Sequence, residues 1–413
     1  MSTSRLIAEV VVARQPIFDR SLTVIGYELL FRGGAAHGQP VIDSAEQATA
    51  RVVVNSMTEI GLEELVGDRP AWVNLTRDFL LGGMTHALPA ERVMLEIVED
   101  QLVDDQLVAR VAELRQQGYR FALDDFDMDT CSDALLGLTD VVKLDVLALG
   151  REGLRNMIAR LRPYALTLAA EKLETREDYD FAVELGCELF QGYFFCRPEL
   201  VRGRRIDADR LRLLEVLAAL QDASVDLHTL EAIIVRDVGL SYRLLRYINS
   251  AFFGLRQPVR SIGQALALLG LESLRRWASL SMFAGIVGKP AELTVTALIR
   301  ARFCELAGAH LLDRANSAEL FTLGLFSVID ALMDIPLGEV LDRIPFPQDM
   351  RDALISHDGD KGLLLACITA LEVGDVDHAE TIIPNVNELY LAALAWANHA
   401  QHPLFDEAVP AAA

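Results

Sequence analysis

A chain of 413 residues is long enough for two or three domains at roughly 150 residues each. Hydrophobic residues make up 52% and charged residues 24%, a composition that excludes an intrinsically disordered chain. With 38 basic and 60 acidic residues the net charge is −22, which argues against loose coating of nucleic acid or anionic membrane, since both depend on excess Lys and Arg. The acidity is evenly spread. Up to Arg205 there are 22 basic and 33 acidic residues (−11), and after it 16 and 27 (again −11). Only four lysines (Lys143, Lys172, Lys289, Lys361) stand against 34 arginines, so each lysine is a candidate for a role that the rigid guanidinium fork does not fill.

The N-terminus has no long apolar run and no small-residue cleavage pattern, and no stretch approaches 18 uninterrupted apolar residues. The five cysteines (Cys131, Cys187, Cys196, Cys304, Cys367) are scattered and never spaced Cys-x-x-Cys, which fits reduced thiols and not a zinc site or disulfide frame. These features lead to the expectation of a cytoplasmic protein without a membrane span.

In chain order, β-rich runs are predicted at 9–18, 24–32, 71–76, 93–98, 120–126, 141–146, 166–172 and 189–195. Amphipathic helices are predicted between most of them, at 45–65, 105–117, 152–161 and 176–185. Strands alternating with helices in this way predict an α/β fold, a (β/α)8 TIM-like barrel. The first two strands are separated only by Asp19 to Thr23, a hairpin-length link, so one strand is predicted to run antiparallel. Beyond Val201-Arg202-Gly203-Arg204-Arg205 the alternation disappears. Helical periodicity takes over at 211–220, 227–236, 241–249, 262–269 and 272–283 and onward to Trp396, predicting an all-α domain. The expected division is 1–203 barrel, 204–395 helical domain and 396–413 C-terminal tail.

Polar residues recur where the barrel strands end. Glu28, Asn74, Glu96, Asp124 with Asp125, Lys143, Glu171 and Gln191 each follow an apolar run. In a barrel the active site forms at the C-terminal ends of the strands. Five carboxylates, one of them Asp125, would converge there with two amides and one lysine. Such a set is suited to hard cations such as magnesium or manganese, and needs a cation to offset its repulsion. A pair of such ions can clamp a phosphodiester and activate water.

These residues sit in Glu28-Leu29-Leu30-Phe31-Arg32, Val73-Asn74-Leu75-Thr76, Leu95-Glu96-Ile97-Val98-Glu99, Leu123-Asp124-Asp125-Phe126, Lys143-Leu144-Asp145, Ala170-Glu171-Lys172-Leu173-Glu174-Thr175 and Gln191-Gly192-Tyr193-Phe194. In that order they resemble the signature of EAL domains, the cyclic di-GMP phosphodiesterase family. The resemblance implies that Glu28, Asn74, Glu96, Asp124, Asp125 and, at the rim, Gln191 hold magnesium or manganese. It further implies that Lys143 and Glu171 orient or deprotonate the attacking water, and that Arg32 meets a substrate phosphate. One departure stands out. Active members continue Asp-Asp-Phe with Gly-Thr-Gly-Tyr-Ser-Ser, whereas this chain reads Asp127-Met128-Asp129-Thr130-Cys131-Ser132. That loop shapes metal binding and dimer-linked activation in the family. Its rewriting predicts weak or absent hydrolysis with metal or nucleotide binding retained, and leaves a homodimer as a further expectation.

In the second half, Asp237 to Gly254 and Arg260 to Gly270 resemble the core of HDOD domains, helical relatives of HD phosphohydrolases that lack the metal dyad. The dyad position reads Gly324-Leu325-Phe326-Ser327-Val328-Ile329-Asp330, without a ligating His-Asp pair, and His357-Asp358 lies in a polar turn. Residues 236–276 hold seven arginines (236, 243, 246, 256, 260, 275, 276) and two acids (237, 272), read first as a solvated or docking face and only second as an anion site. The tandem is similar to the EAL–HDOD signalling family of the YuxH type. The expected function is a cyclic di-GMP signalling protein: a weakly active or inactive barrel serving as sensor or scaffold, with the HDOD half binding a protein partner. The alternative is an active metal-dependent phosphodiesterase, giving linear pGpG, regulated by the HDOD half. Nucleic-acid binding through the arginines is disfavoured by the overall acidity.

Overall fold

The computed structural model describes residues 10–33, 61–98, 103–124, 133–196, and 217–405 apart from 223–224, 237–240, 242–243, 246, 250–258, 260, 285–288, 313–316 and 385. The chain separates into two compact units. One comprises Met1–Phe195 with Thr369–Leu391, the other Cys196–Ile368 with Ala392–Ala413.

The first unit is a closed barrel whose eight strands pair in sequence order: β1 Val10–Phe18, β2 Val24–Gly33, β3 Ala71–Leu75, β4 Val93–Ile97, β5 Arg120–Leu123, β6 Val141–Asp145, β7 Thr167–Leu173 and β8 Leu189–Gly192. β1 pairs antiparallel with both β2 and β8, and every other pair is parallel. The short link after β1 explains the reversal. Asp19 Oδ1 accepts from the backbone N–H of Ser21 and Thr23 and from Ser21 Oγ, closing a tight turn in which Leu22 takes a left-handed φ of 57°. A parallel partner would need a far longer crossover.

The flanking helices are α1 Leu62–Val66, α2 Arg77–Leu81, α3 Asp105–Gln116, α4 Asp133–Leu136, α5 Val146–Leu161 and α6 Arg176–Leu185. Side chains open several of them. Asp104 accepts from Leu107 N, Asp145 from Ala148 N and Thr175 from Asp178 N. α5 begins six residues before its predicted start at 152. The strand predicted at 141–146 ends at Asp145, which caps a first helical turn over Val146-Leu147-Ala148-Leu149. Gly150 then breaks the helix (φ 62°, ψ 175°) before Arg151–Leu161 resumes it. Most of the helix predicted at 45–65 lies outside the described residues, which hold only its end in α1.

The later helices are α7 Leu227–Arg236, α8 Ile262–Ala284, α9 Ala291–Leu311, α10 Ser317–Phe326, α11 Ile329–Met333, α12 Leu337–Leu341, α13 Gln348–Ser356, α14 Gly359–Glu372, α15 Val376–Ile382 and α16 Val386–Phe405. No strand lies between them among the described residues. The two helices predicted at 262–269 and 272–283 correspond to α8, which is non-helical at Gly270 (φ 73°, ψ 168°). α9 and α10 approach closely because Gly324 has no side chain. A Cβ there would lie 2.2 Å from the Arg300 carbonyl oxygen. No helix among the described residues is long and apolar enough to cross a membrane.

Gly192 closes β8 with φ 144°, and a Cβ there would lie 2.3 Å from both the backbone nitrogen and the carbonyl oxygen of Leu173 on β7. Gly192→Ala is therefore expected to cost about 2 kcal/mol or more, read as a lowered urea midpoint. Gly338→Ala in α12, where a Cβ meets nothing within 4 Å, is the control and is expected to leave the midpoint nearly unchanged.

Candidate metal centre

The period of two along a β-strand builds this site. Ile17, Trp72, Met94, Ala122, Val141 and Ala169 form one buried apolar cluster, with Leu189 packed against it. Two residues further along each parallel strand, on the same face, come Asn74, Glu96, Asp124, Lys143, Glu171 and Gln191. In β2 the step runs from Gly26 to Glu28, and Gly26 is small because the Trp72 indole occupies the space a Cβ would need (2.6 Å). β1 runs the other way, so the residue matching Ile17 is two positions earlier. It is Gln15, directly opposite Glu28 in the ladder. The barrel interior thus carries an apolar layer and, above it, a polar layer with one residue from every strand.

Lys143 occupies the middle of the polar layer and is 1% exposed. Its Nζ lies 2.6 Å from Glu171 Oε1, 2.9 Å from Asp124 Oδ1, 3.0 Å from Glu96 Oε1 and 3.1 Å from Glu28 Oε2. Burial alone would lower its pKa, but the four surrounding carboxylates hold it well above the ordinary lysine value. Glu28 is held from three sides. Asn74 Nδ2 donates to Oε1 at 2.8 Å, Gln191 Nε2 donates to Oε2 at 2.7 Å, and Lys143 donates to Oε2. Burial pushes the Glu28 carboxyl up, yet the Lys143 charge and these donors outweigh it and hold it below the usual range.

Glu96 and Glu171 are less well served. Burial, then the Glu28 charge, raises Glu96 well above the ordinary carboxylate range. Burial pushes Glu171 up to about 8 despite the neighbouring Lys143. Both Glu96 oxygens, Glu171 Oε1 and Asn74 Oδ1 are buried without a hydrogen-bond partner. The Lys143 contacts to Glu96 and Glu171 are close charge contacts that lack hydrogen-bond alignment. A buried acceptor left unpaired costs about 1–3 kcal/mol, so Glu96 Oε2 and Asn74 Oδ1, which lack a hydrogen bond, mark a place built for something further. Glu28, Glu96 and Asp124 each offer an oxygen within 4.8 Å of the others. Hard oxygen donors, excess negative charge and orphaned acceptors together fit a divalent cation of the magnesium or manganese class.

Of the residues expected to gather here, Glu28, Asn74, Glu96, Asp124, Lys143, Glu171 and Gln191 do so, in one connected cluster. Gln191 reaches the others through its amide nitrogen, which donates to Glu28 and, at 2.9 Å, to Gln15 Oε1. Asp125 and the rewritten segment 127–132 lie outside the described residues, and so does the side chain of Arg32, whose backbone pairs with Val11 in the hairpin. Gln15 was not singled out from sequence. Its signal is the hairpin itself, because reversing β1 moves the site residue from the end of the strand to its middle.

In the helical unit, the dyad position is engaged otherwise. Ser327 Oγ accepts from Arg300 Nη1 at 3.1 Å and donates to the Gly324 carbonyl at 2.7 Å. Arg300 is itself buried, and a guanidinium cannot ligate a cation. His357 closes α13 in a left-handed conformation and is exposed, and His228 is exposed on α7. Within the 236–276 segment, Arg275 donates to the carbonyls of Asp222 and Val225, and Arg276 pairs with Glu305 at 2.6 Å. The side chains of the other five arginines lie outside the described residues.

Fold and site together define an EAL-type barrel joined to an HDOD-type helical region. Family models agree, matching an EAL domain over residues 74–198 and an HDOD domain over 211–333. The chain is 32% identical over 405 residues to the uncharacterized protein YuxH of Bacillus subtilis, covering 94% of this chain and 98% of that one. It is 32% identical over 374 residues to the cyclic di-GMP phosphodiesterase CdgJ of Vibrio cholerae, covering 89% and 86%. Among solved structures, the calcium/cy-diGMP complex of Klebsiella pneumoniae BlrP1 aligns with 48% of this chain and 58% of that one, at 22% identity and a TM-score of 0.38. The chain belongs to the EAL–HDOD family represented by YuxH and CdgJ.

Because Glu96 is buried and raised, its amide mimic resembles the protonated form. Glu96→Gln is expected to melt within about 1 kcal/mol of wild type in chelator. Manganese at 100 times its dissociation constant is expected to stabilise the wild type by about 2.7 kcal/mol, a gain the variant loses. Denaturant titrations with and without metal check both.

Proposed function

We propose that this chain is a cyclic di-GMP signalling protein whose barrel binds the dinucleotide with a divalent metal and hydrolyses it weakly or not at all. In this reading, residues 1–203 form the sensing barrel, 204–395 a non-catalytic helical domain that engages a protein partner, and 396–413 a tail. The observation that carries the binding half is the polar layer around Lys143, with its orphaned Glu96 oxygens. Glu28, Asn74, Glu96, Asp124 and Asp125 would hold magnesium or manganese, with Gln191 bracing Glu28 and Arg32 meeting a phosphate. Such an ion would polarise a phosphate oxygen and favour ionisation of a nearby water. The replacement of the family's glycines by Asp127-Met128-Asp129-Thr130 supports the weak chemistry, since a site 1 Å too loose still binds but turns over poorly.

A second reading, an active phosphodiesterase, is favoured by the 2.6 Å contact between Lys143 and Glu171. Lys143 would orient the attacking water and Glu171, with a carboxyl near 8, would accept its proton. Water oxygen joins phosphorus, the ribose oxygen leaves with a proton, and linear pGpG results.

Calorimetry and turnover with cyclic di-GMP, in manganese and in chelator, test both. Metal-dependent binding with turnover far below the ordinary enzyme range of about 1–1000 per second supports the first reading. Turnover within that range that disappears in Glu28→Ala supports the second. Absence of metal-dependent binding overturns both.

A further inference from the structure

The polar layer has one member that the metal reading leaves without work. Gln15 accepts from Gln191 Nε2 at 2.9 Å, and its own Nε2 donates to the backbone carbonyl of Glu372 at 3.0 Å. Gln191 Nε2 in turn donates to Glu28 Oε2. Three hydrogen bonds therefore join the last residue of α14 to a carboxylate of the metal centre. Glu372 and Gln15 belong to the same compact unit, although 357 residues separate them in sequence.

The carbonyl that Gln15 captures is one the helix cannot satisfy. The last four carbonyls of a helix lack intrahelical partners. The turn that follows is firmly built. Gly374 takes φ 80°, its N–H bonds the Leu371 carbonyl, Asp375 N bonds the Ala370 carbonyl, and Asp375 then caps α15 through His378 N. A Cβ on Gly374 would lie 2.7 Å from Leu30 Cδ1, so this turn packs directly on β2, the strand that carries Glu28.

We infer that Gln15 is a positioning residue that couples the 372–375 turn to the metal centre by setting the amide of Gln191, and through it the orientation of Glu28. The turn, Gln15, Gln191 and Glu28 all belong to one compact unit, so a change at the turn reaches Glu28 through the relay. The inference deepens the metal-binding reading and rests on it for its functional consequence. The hydrogen-bond relay stands independently. Partners of metal ligands typically change metal affinity by about 10–100-fold when removed, although they never touch the ion.

The test uses the full chain and four proteins: wild type, Gln15→Met, Gly374→Ala and the double variant. Two quantities are measured. One is manganese affinity by titration calorimetry. The other is the NMR resonance of the Gln191 side-chain amide in chelator, with urea midpoints as a control for folding. Gln15→Met is expected to weaken manganese binding about tenfold. Gly374→Ala is expected to weaken it in the wild-type background and to add nothing in the Gln15→Met background, since contacting members of one relay are not additive. Both single variants are expected to move the Gln191 resonance. If Gln15 only caps α14, the urea midpoints fall while affinity and resonance stay put, and the proposal is overturned. It is equally overturned if the two effects on affinity multiply. If wild type binds no manganese but the Gln191 resonance moves in Gly374→Ala, the metal reading fails and the relay stands.

Discussion

Everything in the barrel is arranged around a single buried ammonium. Lys143 faces Glu28, Glu96, Asp124 and Glu171 within 3.1 Å, so one positive charge is set against four acids. Removing four carboxylates from water for one partner is unfavourable on its own terms. Burial raises the Glu96 and Glu171 carboxyls, and the amides of Asn74 and Gln191 offset part of the excess on Glu28. The remainder is an electrostatic deficit that favours a bound cation. A stable fold that lacked this need would place apolar residues here, as it does one layer below with Trp72, Met94 and Val141. The site is therefore a local sacrifice of stability carried by a well-packed barrel.

How much of this was legible in the sequence depended on whether the signal was local. Strand alternation placed all eight strands, because each is an apolar run bounded by turn residues. The polar residue that follows each apolar run picked out seven positions that converge in space, although Glu28 and Lys143 lie within their strands and not at their ends. The start of α5 was missed because Asp145, which caps it, reads equally well as the end of the preceding strand. Gln15 escaped for a geometric reason. The rule that site residues end their strands assumes that every strand points the same way, and β1 does not. The assignment of 369–391 to the barrel unit had no local signal at all, because it depends on contacts such as Gln15 to Glu372 between distant parts of the chain.

The charge distribution also changes meaning. A net −22 suggested a protein that repels anions. Within the barrel, some of that charge is concentrated on inward-facing acids, where a divalent ion would convert it into an attraction for phosphate. The arginine-rich segment of the helical half moves the opposite way. Arg275 and Arg276 face backbone carbonyls and Glu305, so these two charges are paired inside the helical unit.

The two units illustrate opposite treatments of a buried cation. Arg300, in the helical unit, meets Ser327. The serine hydroxyl accepts from the arginine and donates to the Gly324 carbonyl, so its donor and an acceptor lone pair are both used. That arrangement is closed, and chemistry there would first have to break it. Lys143 sits among acceptors that are still unmatched, in an arrangement that is open. The difference follows from side-chain chemistry. A guanidinium has a fixed planar fork that suits fixed partners, whereas an ammonium is a compact charge that can serve several carboxylates and still yield as a cation and substrate enter. In a chain with 34 arginines and four lysines, the lysine at position 143 is the residue that stands among four carboxylates.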